Sequence, residues 1–412
     1  MRHLYALWMT LFEAFLPAMV FGGSKWKRWK SGQRQWKRDL AQLSEDRKEG
    51  KWLWFHCASV GEYEQAKPVI QRMTKHADVN IAVTFFSPSG YEAKHQDPLL
   101  DWVSYLPLDT PSNTKQFLEA LKPDMAIFVK YELWFNFMHA LKQRKIPMAL
   151  ISAHFTDKHW TTQWPGIHLG QQLADFDRIF TQSEASCNRL ESAGIYNSVA
   201  AGDSRVDRVL EVVNTSYKHE AIERFIQGSR VLVIGSNWPE DDAHLLPVLR
   251  RYKTLKVIVV PHELKSSQLD YWKEECESGI QTIDELEEGI RPSTRVVYVN
   301  RMGLLSKLYR YADVAYIGGG FGKAVHNTLE AAVYGIPVIF GPSNKRFLEI
   351  QHLKELGIGT EVHDDEDLQT ALSKALEDEA YRKEVKAKSE QFIQDQQGAT
   401  DMIVEWMEAR LK

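Results

Sequence analysis

Cysteine is scarce in this chain: Cys57, Cys187 and Cys276 are the three among 412 residues, far apart and never in a CxxC pair. That argues against a disulfide framework or a structural zinc site and fits a reducing compartment. An excess of one charge is also lacking. A net charge of -4 makes no global case for a nucleic-acid partner, and none is expected. The common nucleotide signatures are missing too. Gly318, Gly319 and Gly320 are not followed by GK[ST], so there is no Walker A loop, and GGGFGK does not fit the dinucleotide fingerprint. No DxD-like carboxylate pair stands clearly at a strand end, so a divalent ion need not bridge a diphosphate, and no metal or other cofactor is expected. No internal repeat suggests a solenoid. What is present is a globular composition, 44% hydrophobic and 26% charged, in a chain long for one core and comfortable for two domains.

A clean membrane span is also absent. Residues 4–22, LYALWMTLFEAFLPAMVFG, are almost wholly apolar but contain Glu13 and Pro17. A span needs about 20 apolar residues, and a glutamate near its middle is costly. Eight Lys or Arg lie within the first 38 residues, and Trp26, Trp29 and Trp36 interleave with them. That pattern suits a headgroup layer, so residues 1–38 are expected to form a membrane-anchor or interfacial helix with a basic patch. A helix packed on the protein's own surface is the alternative. A cleaved signal peptide fits poorly, because the cations follow the apolar segment.

From residue 51 short β-rich runs alternate with helical patterns. KWLWFHCAS, NIAVTFFS, WVSYLPL, MAIFVK, PMALISA and RIFTQS read as strands, with amphipathic helices between them. The alternation restarts at RVLVIGSNW, 230–238, and runs on through LKVIVVPHE, VVYVN, DVAYIGGG, a helix from 326 and PVIFGP. This is the signature of parallel βαβ units. The fold class is α/β, two Rossmann-like domains facing across a cleft, with an N-terminal membrane-associated helix. The expected domains are 39–210, a linker at 211–228, a second domain at 229–385, and a C-terminal helix at 386–412 bracing the first. The stretch 154–172, with His154, His159, His168, Trp160 and Trp164, is expected near a cleft.

Ligands of such sheets bind beyond the carboxyl ends of the strands, and four strand-end clusters carry candidate chemistry. In HCASVGEYE, Glu62 opens a helix after a tight turn at Gly61; it is a helix-capping carboxylate or a general base. In FVKYELWFN, Lys130 and Glu132 either bind an anionic substrate or form a local ion pair. In AGDSRVDRV, Arg205 is suited to a phosphate, a carboxylate or a salt bridge. The fourth cluster joins VPHE, 260–263, NRMGLLSKLYRYAD, 300–313, and the glycines with AVHNTLEAA. There helix N–H groups near 327 can take a phosphate, Asn327 can cap or contact a sugar, and Glu330 can accept from ribose hydroxyls. His326 alone reads as structural. One acidic residue in the first half and helix-end dipoles in the second would suffice to transfer a sugar from a nucleotide donor.

These motifs, in this order, resemble the 3-deoxy-D-manno-octulosonic acid (Kdo) transferase family, which attaches Kdo to lipid A precursors in Gram-negative bacteria. The markers are SVGE at 59–62, YLPLDTP at 105–111, YELW at 131–134, GDSRVD at 202–207, MG at 302–303, HNTLEAA at 326–332 and GP at 341–342. The resemblance implies the glycosyltransferase B fold and inverting transfer from CMP-Kdo to a phosphorylated lipid IVA-type disaccharide, at the cytoplasmic face of the inner membrane and among its lipids. It implies Glu62 as the general base. Lys130 stands where the family has the first glutamate of ETELW, leaving Glu132 to take part of that role, and Arg205 stands at a family lysine. The CMP contacts map onto Pro261, His262, Met302, Gly303, Leu304, Asn327, Thr328, Leu329 and Glu330, and Glu240 in GSNWPEDD onto an acidic position. The alternatives are a B-fold transferase or epimerase using a UDP-sugar, or a silent scaffold that binds nucleotide or lipid.

Overall fold

The computed structural model describes the chain apart from residues 1, 17, 19–22, 156–169, 277–278, 345–347 and 412. His159, Trp160, Trp164 and His168, expected near a cleft, lie outside the described residues. The chain divides into two compact units, Met1–Asp207 with Gln396–Lys412, and Arg208–Asp395.

The first unit is built on a seven-stranded parallel sheet: β1 (Lys51–Cys57), β2 (Val79–Phe85), β3 (Trp102–Tyr105), β4 (Met125–Val129), β5 (Met148–Ala153), β6 (Arg178–Thr181) and β7 (Ser198–Ala200), in the order β3-β2-β1-β4-β5-β6-β7. Beyond Lys51 every residue of β1 is buried, and β4 is buried throughout. Strands covered on both faces need such continuous apolar runs. Successive side chains feed opposite cores. Trp54 packs with Phe117, Phe128 and Phe137 on one face. Phe55 packs with Val69, Ile70, Ile403 and Met407 on the other. The C-terminal helix Ala399–Leu411 belongs to this second face, tied down where the Asp207 carboxylate accepts from the Gly398 and Thr400 N–H groups at 2.6 and 2.7 Å. It backs the helix Val60–Met73, with Arg72 on Asp401 at 2.6 Å.

The second unit repeats the plan with β8 (Val231–Asn237), β9 (Lys256–Pro261), β10 (Ile280–Thr282), β11 (Val296–Tyr298), β12 (Val314–Ile317), β13 (Val338–Phe340) and β14 (Gly359–Glu361), ordered β10-β11-β9-β8-β12-β13-β14. All pairings are parallel. In each sheet the chain crosses from one half to the other between two central neighbours, β1 and β4 in the first and β8 and β12 in the second. The carboxyl ends of those pairs are the crevices where doubly wound sheets take ligands.

The N-terminal membrane-associated helix is corrected. Among the described residues no helix is long and apolar enough to cross a membrane. The apolar stretch yields a 14-residue helix, Arg2–Phe15, which docks on its own unit. Met9 and Leu16 are buried with Trp29 and Leu108. The Tyr5 hydroxyl donates to Asp109 at 2.9 Å, and Asn113 donates to Glu13 at 2.7 Å, so the glutamate that a span could not bear has a partner. The tryptophans among the cations serve the interior: Trp36 and Trp29 are buried in the helix Ser24–Asp46, Trp36 in the core of Trp52 and Trp54. A second difference lies at 326, where the helix is a single turn, Leu329–Ala332.

Candidate active site

In the first unit, β1 ends at Cys57 and a turn through Ser59 opens the helix Val60–Met73. Glu62, in its first turn, accepts from the Ser59 N–H at 3.0 Å, so the capping arrangement is real. That bond alone would hold the carboxyl ionised at low pH. Burial, then the neighbouring Glu132 carboxylate, act against it more strongly, while Lys130 and backbone N–H groups resist; the net result pushes Glu62 up to about 7. A mostly buried carboxyl poised near neutrality suits a general base.

Across the crevice, β4 ends at Val129 and Lys130 adopts a left-handed backbone, φ 62°, its N–H still donating to Ile151 at 2.9 Å. Such a conformation in a non-glycine residue costs about 1–2 kcal/mol and turns the chain sharply out of the sheet. Glu132 then meets the buried His56 of β1, with 3.1 Å between Nε2 and Oε2. Trp134 donates its indole N–H to the same oxygen at 2.9 Å. Behind His56 a relay continues, Nδ1 against the Thr84 hydroxyl at 2.9 Å and Trp54 donating to that hydroxyl at 2.8 Å. With Thr84 donating on to Nδ1, the His56 proton sits on Nε2 facing Glu132. Arg205 grips Asp203 with two nitrogens, Nη2 to Oδ2 at 2.6 Å and Nε to Oδ1 at 3.1 Å. Burial would raise Asp203, but Arg205, with help from Lys130, holds it below the ordinary carboxylate range. Glu62, Lys130, Glu132 and Arg205 thus belong to one electrostatic neighbourhood.

In the second unit, Ser236 at the end of β8 is left-handed, φ 54°, and the chain runs through Trp238 into the helix Pro239–Leu249. The fully buried Asp241 carboxylate accepts from the Trp238 N–H at 2.9 Å, the Gly319 N–H at 2.7 Å and the Tyr316 hydroxyl at 2.9 Å. It pins the glycine loop of β12 against the end of β8. The glycines answer to that closeness: a Cβ on Gly318 would lie 2.3 Å from the Asn237 Cα, and Gly319 has φ +87° with Ala324 O 2.2 Å from where its Cβ would be.

Above this loop three rings stack, Trp238 on His262 at 4.7 Å and His262 on His326 at 4.2 Å between centroids. The Trp238 indole donates to His326 Nε2 at 2.9 Å. An indole only donates, so the proton of neutral His326 must sit on Nδ1. Burial, then His262, lowers His326 to about 4, so near neutrality it offers one N–H and no charge. Asn327 donates to Glu330 at 3.0 Å and caps Leu329 N–H at 3.1 Å, which explains why the helix begins two residues after Asn327. Thr328 is buried, Pro261 closes β9, and the His262 N–H donates to Asn237 at 3.2 Å. Met302 is 70% exposed, Gly303 is left-handed at φ +81°, and Leu304 precedes the short helix Leu305–Leu308. Glu240 is exposed beside Gly322, whereas its neighbours Asp241 and Asp242 are buried. Among the described residues no group of three or more His, Cys, Asp or Glu side chains could hold a metal ion.

The residues not singled out from sequence are His56, Thr84, Trp238 and Asp241. His56 had a signal, a polar residue next to the carboxyl end of a mostly apolar strand. Asp241 had one too, an acid placed four residues after a strand end, where it can bond back to the turn.

Residues 34–208 match the family described as 3-deoxy-D-manno-octulosonic-acid transferase (kdotransferase). The chain is 26% identical over 335 residues to the 3-deoxy-D-manno-octulosonic acid transferase of Rickettsia typhi, covering 79% of this chain and 71% of the relative. It is 27% identical over 344 residues to that of Aquifex aeolicus, covering 81% and 88%. It is 26% identical over 353 residues to a bifunctional glycosyltransferase/methyltransferase of Fusobacterium nucleatum, 81% of this chain but 54% of that protein, so the chain spans about half of that relative. Among solved structures, UDP-GlcNAc 2-epimerase from Neisseria meningitidis aligns with a TM-score of 0.57 at 17% identity, covering 86% of this chain and 98% of that one. At that identity the likeness shows the fold alone, a two-lobed α/β fold of the glycosyltransferase B type.

Proposed function

We propose that this chain, which carries a Kdo-transferase-like domain in a glycosyltransferase-B-like fold and handles a nucleotide-sugar donor, transfers Kdo from CMP-Kdo to a phosphorylated lipid IVA-type disaccharide with inversion. The observation that carries the reading is Glu62, a mostly buried carboxyl with a pKa of about 7 beside Glu132 at the reversal of the first sheet. As general base it takes the proton of an acceptor hydroxyl while that oxygen attacks the anomeric carbon of Kdo. The bond from that carbon to the phosphate oxygen breaks, and CMP leaves with the electron pair. Glu132, held by His56 and Trp134, orients the acceptor; Lys130 and Arg205 supply positive potential for its phosphate. In the second unit, the loop of Met302, Gly303 and Leu304, the Pro261–His262 corner, and Asn327 through Glu330 receive CMP, with the neutral N–H of His326 facing the leaving phosphate. The lipid acceptor sets the place of action, the cytoplasmic face of the inner membrane of a Gram-negative bacterium, among its lipids.

The test supplies CMP-Kdo, generated in place, with a lipid IVA-type acceptor and weighs the products by mass spectrometry. A product heavier by one or more Kdo units is expected. A folded protein that binds CMP but forms no product points to another acceptor. Failure to bind CMP overturns the donor assignment and turns the search to UDP-sugars.

A further inference from the structure

Beside the candidate base the first unit contains a pocket of about 640 Å³ whose walls include Trp8, Phe12, Trp26, Trp29, Phe86 and Trp134. Its size falls within the roughly 300–1,000 Å³ of small-molecule sites. Ser87 is the one lining residue with a side-chain hydroxyl, so water inside would find few partners. The wall nevertheless carries a buried polar group. Trp29 is 7% exposed, and its indole N–H has no acceptor among the described residues. A buried donor in an apolar wall calls for an oxygen brought by a ligand.

The pocket shares its walls with residues that hold the acidic site. Trp134 lines it and bonds Glu132, while Ser87, the residue after Phe86, donates its N–H to Ala58 at 2.8 Å, at the turn that presents Glu62. A molecule whose hydroxyl meets Glu62 therefore has an apolar cavity within reach of its other end. Lys27, exposed and between Trp26 and Trp29 in sequence, adds positive charge for an acidic group on that molecule. We infer that this pocket holds one acyl chain of an amphiphilic, acidic saccharide acceptor, with an ester or amide oxygen of the acceptor on the Trp29 indole N–H. The inference rests on the transfer reading and adds the apolar half of the acceptor to it.

The experiment compares kcat/KM for an acylated acceptor and for its deacylated headgroup, in the full chain and in its Trp8→Ala and Phe12→Ala variants. Trp8 is 59% exposed, so its substitution spares the fold, and thermal melts check both variants. Each methylene buried is worth about fourfold in affinity, so a preference of at least about tenfold for the acylated acceptor is expected. Both variants move that ratio towards one, and Trp29→Phe lowers it without emptying the pocket. Equal use of the two acceptors by the unaltered chain, or a ratio the variants leave in place, overturns the pocket assignment while the transfer reading stands. No transfer to either acceptor overturns the transfer reading. The pocket is then decided by quenching of tryptophan fluorescence with dibromostearate. Saturable quenching that Phe12→Ala weakens supports an acyl site; its absence, or quenching insensitive to Phe12→Ala, overturns it.

Discussion

The two units use the same sheet and the same crevice for opposite chemistry. At the reversal of the first sheet stand ionisable side chains, Glu62, Lys130, Glu132, Asp203 and Arg205, where burial and the Glu132 carboxylate push Glu62 up and Arg205 holds Asp203 down. At the reversal of the second stand a half-buried neutral imidazole and the ring stack it belongs to, and the buried charge of Asp241 holds the glycine loop beneath them. A reaction that moves a proton needs a group with an adjustable pKa; a nucleotide that must bind and leave is better met by fixed dipoles. Under the proposed transfer reaction, chemistry would belong to the first unit and donor recognition to the second.

Substitutions should separate the two. Glu62→Gln keeps the shape and removes the base, so kcat is expected to fall by about 10²–10⁴-fold with CMP affinity unchanged; steady-state rates and calorimetric titration with CMP read both. An active Glu62→Gln enzyme would end the base assignment. Asp241→Ala should do the reverse. It leaves the Gly319 and Trp238 N–H groups and the Tyr316 hydroxyl without an acceptor, costing at least about 3 kcal/mol in the second unit. CMP affinity should drop tenfold or more, as read by the same titration, while the Glu62 environment in the first unit is untouched.

How much of this was legible in the sequence differs between local and distant effects. Most strands of both sheets announced themselves through runs of apolar residues, and Glu62 through its place after the Gly61 turn, whereas the three-residue strands β7, β10 and β14 did not. The fate of Trp29 and Trp36 did not, because a tryptophan beside lysines reads alike whether it faces lipid or its own core, and only the tertiary partners Leu108 and Trp54 decide. The pairing of His56 with Glu132, 76 residues apart, is set by β1 lying next to β4. The small residues from 326 onward favour a longer helix, whereas the Asn327 side chain takes the N–H of Leu329 and starts the turn later.

The pH profile sharpens the contrast further. Glu62 must be deprotonated to act, so kcat/KM should rise about tenfold per pH unit below about 7 and level above it. Stability runs the other way. A carboxyl raised from 4.5 to about 7 binds its proton more tightly folded than unfolded. Its support for the fold is therefore full below about 4.5 and lost as pH rises through about 7. Melting curves of the unaltered chain and Glu62→Gln should part between about pH 4.5 and 7 and stay apart above it, the variant being the more stable. Lys130→Glu removes the cation that draws Glu62 down, so the inflection of the rate profile should move alkaline.

The smallest effect tests the second unit's neutrality. Trp238→Phe keeps the ring against His262 but deletes the N–H that His326 Nε2 accepts. His326 is then free to take up a proton at Nε2, and its pKa should climb from about 4 towards the ordinary histidine value. Nitrogen-detected NMR of the histidine rings, followed from pH 4 to 8, reads this directly. CMP affinity at pH 7 should fall by about threefold to tenfold, the worth of one misplaced hydrogen bond. If the His326 titration does not move, burial alone keeps the ring neutral, and the Trp238 bond merely selects which nitrogen faces the nucleotide. If it moves and CMP affinity rises at low pH, a positive charge serves the phosphate better than a neutral donor, and the division between a charged unit and a neutral one breaks at His326.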